Sequence, residues 1–221
     1  WFHIRNKFFL KITNYILNFF IKIVYVISED QETFFSHKNK IKINSIINYE
    51  FISKSKSSKN KYGNYILYLG RICKEKGIED LIFFFSQIKK NEDIPNLLIV
   101  GPVSKDYLKK INNMIFRKKL ADTVFLLPPV FDISEKINLI DNSKFGIYPS
   151  YYDAFPLTPI ECFSRNKICL ASNISETKNF ISEEFLFKPG STEIKDKIII
   201  TYDYIKKDLK FLNSQIKRTN F

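Results

Sequence analysis

Histidine is nearly absent from this 221-residue sequence, and cysteine is scarce. The two histidines, His3 and His37, both stand near the start of the chain. The three cysteines, Cys73, Cys162 and Cys169, form no Cys-x-x-Cys pair, and their odd number argues against a disulfide framework. Histidine-based catalysis and a histidine-rich metal site are therefore not expected in the body of the chain. Free thiols fit a reducing compartment such as the cytoplasm.

Several signatures of nucleotide and nucleic-acid binding are also missing. The sequence contains no GxxxxGK[ST] loop and no GxGxxG turn. It has no zinc-finger pattern, no RNA-recognition motif and no arginine-rich patch. The formal net charge of +12 is compatible with nucleic acid, a membrane face or a phosphate-bearing ligand, or simply with a general lysine bias. Without a supporting motif, we do not expect a nucleic-acid partner.

No apolar run is long enough to span a membrane. Residues 4–20 carry apolar side chains at helical spacing, but Lys11, Asn14 and Asn18 interrupt them. Because the segment is basic and aromatic, it is compatible with peripheral contact to the inner face of the cell membrane. The alternative is a helix that packs against a partner domain. Both interpretations stay open from the sequence.

The rest of the chain alternates between strand and helix patterns. A strand-like stretch at residues 22–28 precedes a capping-box signal at 28–31, and the Ser- and Lys-rich residues 49–62 indicate a linker. Five apolar runs in the region 63–205 predict strands, at 65–69, 96–100, 124–127, 145–148 and 168–171. Helical patterns fill the gaps, at 77–91, 104–119, 132–142 and 157–165, and a basic C-terminal helix is predicted at 206–221. This alternation predicts an α/β fold with a Rossmann-like, doubly wound parallel sheet.

Two cations follow the first strand of the predicted sheet. Gly70 and Arg71 come directly after it, and Lys76 and Gly77 stand just before the next helix. Arginine suits phosphate oxygens through its fork, lysine serves as a point charge, and a helix N-terminus adds backbone N–H donors. The two cations can therefore converge on one polyanion. The alternative is an ordinary solvated loop, in which Lys74 is one more lysine.

Two acids follow a later strand of the same sheet. Asp153 stands in the turn after residues 145–148, and Glu161 stands in the next helix, with seven residues between them. Ligands of open parallel sheets bind beyond the carboxyl ends of the strands, so both acids can face that crevice. The alternative is that the acids are simply solvated, or that they favour the positive N-terminal end of the helix. Cations for a diphosphate beside carboxylates for sugar hydroxyls would suit a nucleotide sugar.

In combination these residues resemble the C-terminal, donor-binding domain of retaining GT-B glycosyltransferases, family 4 or glycosyl transferases group 1. The matching positions are Gly70-Arg71, Lys76-Gly77, Pro149-Ser150, Asp153 and Glu161, with Asn48 and the LFKPG turn at 186–190 in support. The match covers about residues 20–205. The resemblance implies a nucleotide-sugar donor such as a UDP- or GDP-sugar, with no metal and no other cofactor. It also implies that residues 1–48 are a remnant of the N-terminal, acceptor-binding domain.

The resemblance assigns a role to each matching residue. Arg71 and Lys76, beside Gly70, would neutralise the departing diphosphate, and Glu161 would hold the ribose hydroxyls. The backbone at Val130 would read the base. Asp153 would hold the donor sugar together with the backbone N–H groups around its neighbours Ala154, Phe155, Pro156 and Leu157.

The resemblance implies transfer of a hexosyl group, with retention, to a glycan or lipid-linked acceptor in cell-surface polysaccharide or lipopolysaccharide synthesis. Two departures keep other functions open, because the family usually has Glu at Asp153 and Gly at Ala154. A non-catalytic nucleotide-sugar-binding homologue is one alternative, and another phosphate-binding α/β module is a weaker one. Since the acceptor domain is only a remnant here, we expect this chain alone to bind donor weakly and to transfer nothing.

Overall fold

The computed structural model describes Tyr15 and residues 22–26, 36–42, 62–90 and 93–207. The chain divides into two compact units, Trp1–Ile46 and Ile47–Phe221. Several predicted features lie outside the described residues: most of the 4–20 segment, the 28–31 capping box, Asn48, the linker up to residue 61 and the chain after residue 207. No helix in the described part is both long and apolar enough to cross a lipid bilayer.

The first unit contains a small parallel sheet of two strands. Strand β1 spans Val24–Val26 and β2 spans Lys40–Lys42, with Val24 opposite Lys40. Strand β1 confirms the strand predicted at residues 22–28. Strand β2 was not predicted, because the sequence KIK offers a single apolar side chain to a pattern search.

The second unit is built on a six-stranded sheet in which every strand runs parallel to its neighbours. Its strands are β3 (Tyr65–Leu69), β4 (Asn96–Val100), β5 (Val124–Leu127), β6 (Phe145–Tyr148), β7 (Cys169–Ser172) and β8 (Leu186–Phe187). The spatial order is β5-β4-β3-β6-β7-β8. Five of these strands confirm the predicted ones. The sixth, β8, falls within the LFKPG turn and pairs with β7 through only two residues, Leu186 and Phe187.

Five helices cover this sheet in the described part of the chain: α1 (Ile78–Ile88), α2 (Lys105–Arg117), α3 (Ile133–Asn142), α4 (Leu157–Ser164) and α5 (Glu193–Lys207). Two of them begin at capping side chains, which satisfy backbone N–H groups that have no partner within the helix. Ser104 accepts from the Tyr107 N–H at the start of α2, and Asp132 accepts from the Glu135 N–H at the start of α3. All residues of β3, β6 and β7 are buried, as expected for a parallel sheet with helices on both faces.

The strand order reverses between β3 and β6. From β3 the chain proceeds to β4 and β5 on one side, and from β6 it proceeds to β7 and β8 on the other. The two strands are adjacent, with Ile66 opposite Phe145 and Leu67 opposite Gly146. In doubly wound sheets a crevice opens beyond the carboxyl ends of the strands at such a switch point. The loops after Leu69 and Tyr148 therefore border the expected ligand site.

Candidate functional site

The loops that follow β3 and β6 are connected by hydrogen bonds. The N–H of Tyr151 donates to the carbonyl of Glu75 at 2.9 Å. Thr158, in the first turn of α4, donates its hydroxyl to the carbonyl of Leu69, the last residue of β3, at 2.7 Å. These contacts bring the cationic motif of the first loop and the acidic motif of the second loop to the same edge of the sheet.

Lys76 and Asp153 meet at this edge. Lys76 is only 6% exposed although it carries a charge, and its ammonium forms an ion pair with Asp153 Oδ2. The Tyr148 hydroxyl donates to the same oxygen, and the Phe155 N–H donates to Oδ1 at 3.2 Å. A buried charge requires both a counter-ion and hydrogen bonds, and this cluster supplies both. Burial, followed by the Asp153 charge, raises the pKa of Tyr148 far above its ordinary value, so this phenol stays a donor.

Gly77 allows the two loops to approach this closely. Its φ of 67° lies in the left-handed region, and it ends the short 3-10 turn Lys74–Lys76. A Cβ at this position would stand 2.1 Å from the carbonyl oxygen of Pro149, the residue that follows β6. The glycine of the cationic motif is therefore required by the backbone of the acidic one.

The two predicted cations have different surroundings. Lys76 is buried and paired, whereas the Arg71 side chain is exposed and lines a groove of about 440 Å³ beside Lys74 and Tyr107. The backbone carbonyl of Arg71 accepts a hydrogen bond from the Tyr68 hydroxyl at 2.6 Å, which fixes the turn after Gly70. The sequence pattern predicts that both cations converge on one polyanion. The structure places one of them inside the protein and the other at its surface.

Glu161 is buried one helical turn after Thr158. It is 6% exposed, and its Oε1 lies 2.5 Å from the ammonium of Lys136 on α3. Its other oxygen, Oε2, is buried and has no hydrogen-bond partner among the described residues. An acceptor in that state is costly unless a ligand satisfies it. The alternative interpretation of Glu161 as a solvated helix acid is therefore wrong.

The remaining predicted site residues, in the turn 154–157 and at Val130, carry no charged side chain, so they could take part only through backbone groups or apolar contact. The Phe155 N–H is directed to Asp153, the Leu157 N–H donates to the carbonyl of Phe155 at 2.8 Å, and Pro156 carries no N–H. Ala154 is not among the residues with positive φ, so the turn does not require the glycine that is usual in the family. Val130, in the loop after β5, is half-buried against the hydrophobic core.

Two residues of this site were not predicted from the sequence. Tyr148 appeared to be only the last residue of an apolar strand, although a tyrosine at the carboxyl end of a strand is a signal that could have been noticed. Lys136 gave no such signal, because a single lysine on an amphipathic helix is normally solvated. Its contact with Glu161 joins residues 25 positions apart, on α3 and α4.

Comparison with solved structures identifies the class of fold. A glycosyltransferase from Rickettsia africae is 20% identical, with a TM-score of 0.76, and the match covers 95% of this chain and 61% of that one. The Anabaena protein HepE in complex with UDP-glucose is 18% identical, with a TM-score of 0.74 and coverages of 92% and 60%. The C-terminal domain of LpcC, a group 1 family protein from Francisella tularensis, is 19% identical, with a TM-score of 0.58 and coverages of 70% and 85%. The six-stranded unit has the Rossmann-like fold of the C-terminal domain of GT-B glycosyltransferases.

A family model gives the more specific result. The model of the group 1 glycosyl transferases matches residues 50–213, about three quarters of the chain, and the protein belongs to that family. No curated protein matches the chain significantly. The chain spans about three fifths of the length of the Rickettsia and Anabaena proteins, at 61% and 60%.

Proposed function

We propose that this chain is the donor-binding part of a glycosyltransferase that moves a sugar from a nucleotide diphosphate sugar to a glycan or lipid-linked acceptor. Family membership supports the reaction class. The observation that carries the proposal is the meeting of Lys76 and Asp153 at the switch point, together with the unsatisfied Oε2 of Glu161 on the helix that follows the same loop. Cations and acceptors side by side match a diphosphate joined to hydroxyl-bearing sugars.

Arg71 and Lys76 would stabilise the diphosphate as it leaves. Because the Lys76 charge is already balanced by Asp153, exposed Arg71 supplies the net positive charge that attracts the donor. Neutralising charge that develops in the transition state accelerates transfer, and loss of one such contact typically costs about 2.7–4 kcal/mol. In the proposed reaction Arg71 would supply the uncompensated positive charge and Lys76 a hydrogen-bond donor, and together they would do the electrostatic work that a metal ion does elsewhere, so no metal is required.

The acceptor groups would hold the sugars of the donor. Glu161 Oε2 would accept from a ribose hydroxyl, which would satisfy a buried atom. Asp153 and the turn Ala154–Leu157 would face the transferred sugar, and the backbone at Val130 would contact the base. For the Phe155 and Leu157 N–H groups to bind that sugar, they would exchange their internal acceptors for sugar oxygens.

The finer parts of the proposal concern stereochemistry, acceptor and location. We propose retention at the anomeric carbon, a hexosyl donor and a role in cell-surface polysaccharide or lipopolysaccharide synthesis. Among structural neighbours, Anabaena HepE is described with UDP and glucose, and Staphylococcus aureus TarM with fondaparinux, α-GlcNAc-glycerol and UDP. We further propose that the protein is cytoplasmic and makes peripheral contact with the inner face of the membrane through residues 4–20.

Titration calorimetry of the protein against UDP and GDP tests donor binding. We expect saturable binding of one nucleotide and a loss of roughly 10- to 100-fold in affinity on Arg71→Ala, the size of a hydrogen bond to a charged group. The matched control is Lys74→Ala, which removes an exposed cation three residues away. Equal losses in the two variants would show that the attraction is diffuse and that Arg71 is not the diphosphate ligand. Absence of binding to either nucleotide would refute the proposal for this chain.

A second candidate function is nucleotide-sugar binding without transfer. It is favoured by the state of Asp153, whose two oxygens are both engaged by protein groups. Restoring the family residues with Asp153→Glu and Ala154→Gly in the full-length protein separates the two candidates. A large gain in donor turnover would indicate a decayed catalytic site, and unchanged or reduced turnover would indicate that the present residues are the functional ones.

A further inference from the structure

Lys136 is a charged residue that the proposed roles do not use, yet it contacts the best-buried acid of the site. Its ammonium lies 2.5 Å from Glu161 Oε1, and the two side chains are 26% and 8% exposed. It projects from α3, which precedes β6, while Glu161 lies on α4, which follows β6, so the pair joins these two helices. Such a partly buried pair differs from a surface ion pair, because its removal leaves a charge that water cannot fully solvate.

The two oxygens of the Glu161 carboxylate have different surroundings. Oε1 is committed to Lys136, and Oε2 is buried without a hydrogen-bond partner among the residues described. A carboxylate accepts through both oxygens, so the second one keeps its full capacity for a ligand.

Glu161 is also fixed with respect to the crevice. Thr158, one turn earlier in α4, is tied to the end of β3 by its 2.7 Å hydrogen bond to the Leu69 carbonyl. An α-helix rises about 1.5 Å per residue, so the Glu161 backbone stands about 4.5 Å further along the helix than Thr158. The orientation of its carboxylate then depends on Lys136, since no other described side chain is bonded to it.

We infer that Lys136 is a positioning residue that holds the Glu161 carboxylate turned so that Oε2 accepts a hydrogen bond from a ribose hydroxyl of the donor nucleotide. This inference rests on the proposed function. According to this inference, Lys136 affects recognition of the ribose. It has no direct effect on recognition of the base or of the diphosphate.

The experiment compares the dissociation constants of UDP and of 2′,3′-dideoxy-UDP by calorimetry, with the GDP pair as second probe. In the unmodified protein we expect the ribonucleotide to bind roughly 10- to 100-fold more tightly, the size of a hydrogen bond to a charged acceptor. In Lys136→Met, which keeps most of the side-chain length, we expect that ratio to fall below about threefold. Lys136→Arg should restore most of it, because the cation returns.

The matched control is Lys110→Met. Lys110 pairs with Glu79 at 2.7 Å across α2 and α1, so this variant also removes a lysine–glutamate pair between helices but leaves Glu161 untouched. In this control the ratio of the dissociation constants of dideoxy-UDP and UDP should stay as it is in the unmodified protein. A purely structural role of Lys136 would weaken UDP and dideoxy-UDP equally and leave the ratio unchanged, which overturns the inference. If Lys136→Met does not fold, Lys136→Gln decides in the same way, with a retained ratio again contradicting the inference.

Failure of the inference and failure of the proposed function have different signatures. If the unmodified protein binds neither UDP nor GDP, the donor site itself is refuted. If it binds one nucleotide but binds the ribo and dideoxy forms equally, the proposed role of Glu161 is refuted. The role of Lys136, which depends on it, is then refuted as well. If it shows the preference and Lys136→Met shows it too, only the present inference is wrong.

Discussion

Replacing Gly77 by alanine tests the close approach on which the whole site depends. The backbone at Gly77 has φ +67°, and its new Cβ would stand 2.1 Å from the Pro149 carbonyl oxygen and 3.0 Å from the Pro149 carbonyl carbon. Both atoms belong to the backbone, so no side-chain rotation relieves the contact. To reach an ordinary contact of at least 3.4 Å, the loops have to separate by about 1.3 Å.

Gly63 provides a matched control, because it has nearly the same backbone conformation without the neighbour. Its φ is +66°, and no described atom lies within 4 Å of an added Cβ. Gly63→Ala therefore pays only for an alanine in the left-handed region, about 1–2 kcal/mol. Gly77→Ala has the same backbone cost, and overpacking against Pro149 adds about 1–3 kcal/mol. Each substitution also lowers the conformational entropy of the unfolded chain, which stabilises the folded state by a similar amount in both variants. This contribution therefore cancels when the two variants are compared.

Urea denaturation and thermal unfolding followed by circular dichroism measure the difference. One kcal/mol corresponds to about 2–4 °C in Tm for a protein of this length, so Gly77→Ala should lose roughly 2–12 °C more than Gly63→Ala. UDP affinity should fall in Gly77→Ala as well, because Pro149 lies between Tyr148 and Asp153, and it should not change in Gly63→Ala. Equal stability losses in the two variants would refute the reasoning, since the dihedral angle alone would then explain both.

Two further predictions concern a buried ion pair and a thiol. Arg165 contacts Asp141 through two hydrogen bonds of 2.8 and 2.6 Å with side chains 7% and 2% exposed, so Arg165→Met should cost about 3–5 kcal/mol in urea denaturation. The double variant Arg165→Met/Asp141→Leu should recover most of that loss, and a double variant as unstable as the single one would contradict the account. Burial, then the hydrogen bond and charge of Glu75, raise the pKa of the Cys73 thiol. Glu75→Gln should therefore lower that pKa and speed the reaction of Cys73 with an aromatic disulfide reagent near neutral pH, and an unchanged rate would show that burial alone controls the thiol.

The periodicity of the sequence was sufficient to predict five of the six strands in the large sheet. Continuous apolar runs such as those at β3 and β6 are recognisable because both faces of each strand are buried, and the helices between them show their own spacing. Strands β2 and β8 were missed for a physical reason. Their two or three residues are stabilised by pairing with β1 and β7, and pairing over so short a length leaves no pattern along the chain.

The chemistry of the site was partly readable in the same way. The residue types and spacing of Arg71, Lys76, Asp153 and Glu161 indicated a place for an anion beside a place for hydroxyl groups. Spacing along one chain carries no information about which charged groups meet across two loops. It could not show that Lys76 is paired with Asp153, or that Arg71 stays exposed.

The fold class and the set of groups available at the sheet edge were predictable from the sequence, because both follow from local periodicity and from the ends of strands. How those groups are used depends on contacts across the fold, which no local pattern encodes. The contacts of Lys136 with Glu161 and of Gly77 with Pro149 join residues 25 and 72 positions apart, brought together by sheet order and helix packing. Burial then determines the energetic contribution of the ion pair, since the same pair at a solvated position would contribute little.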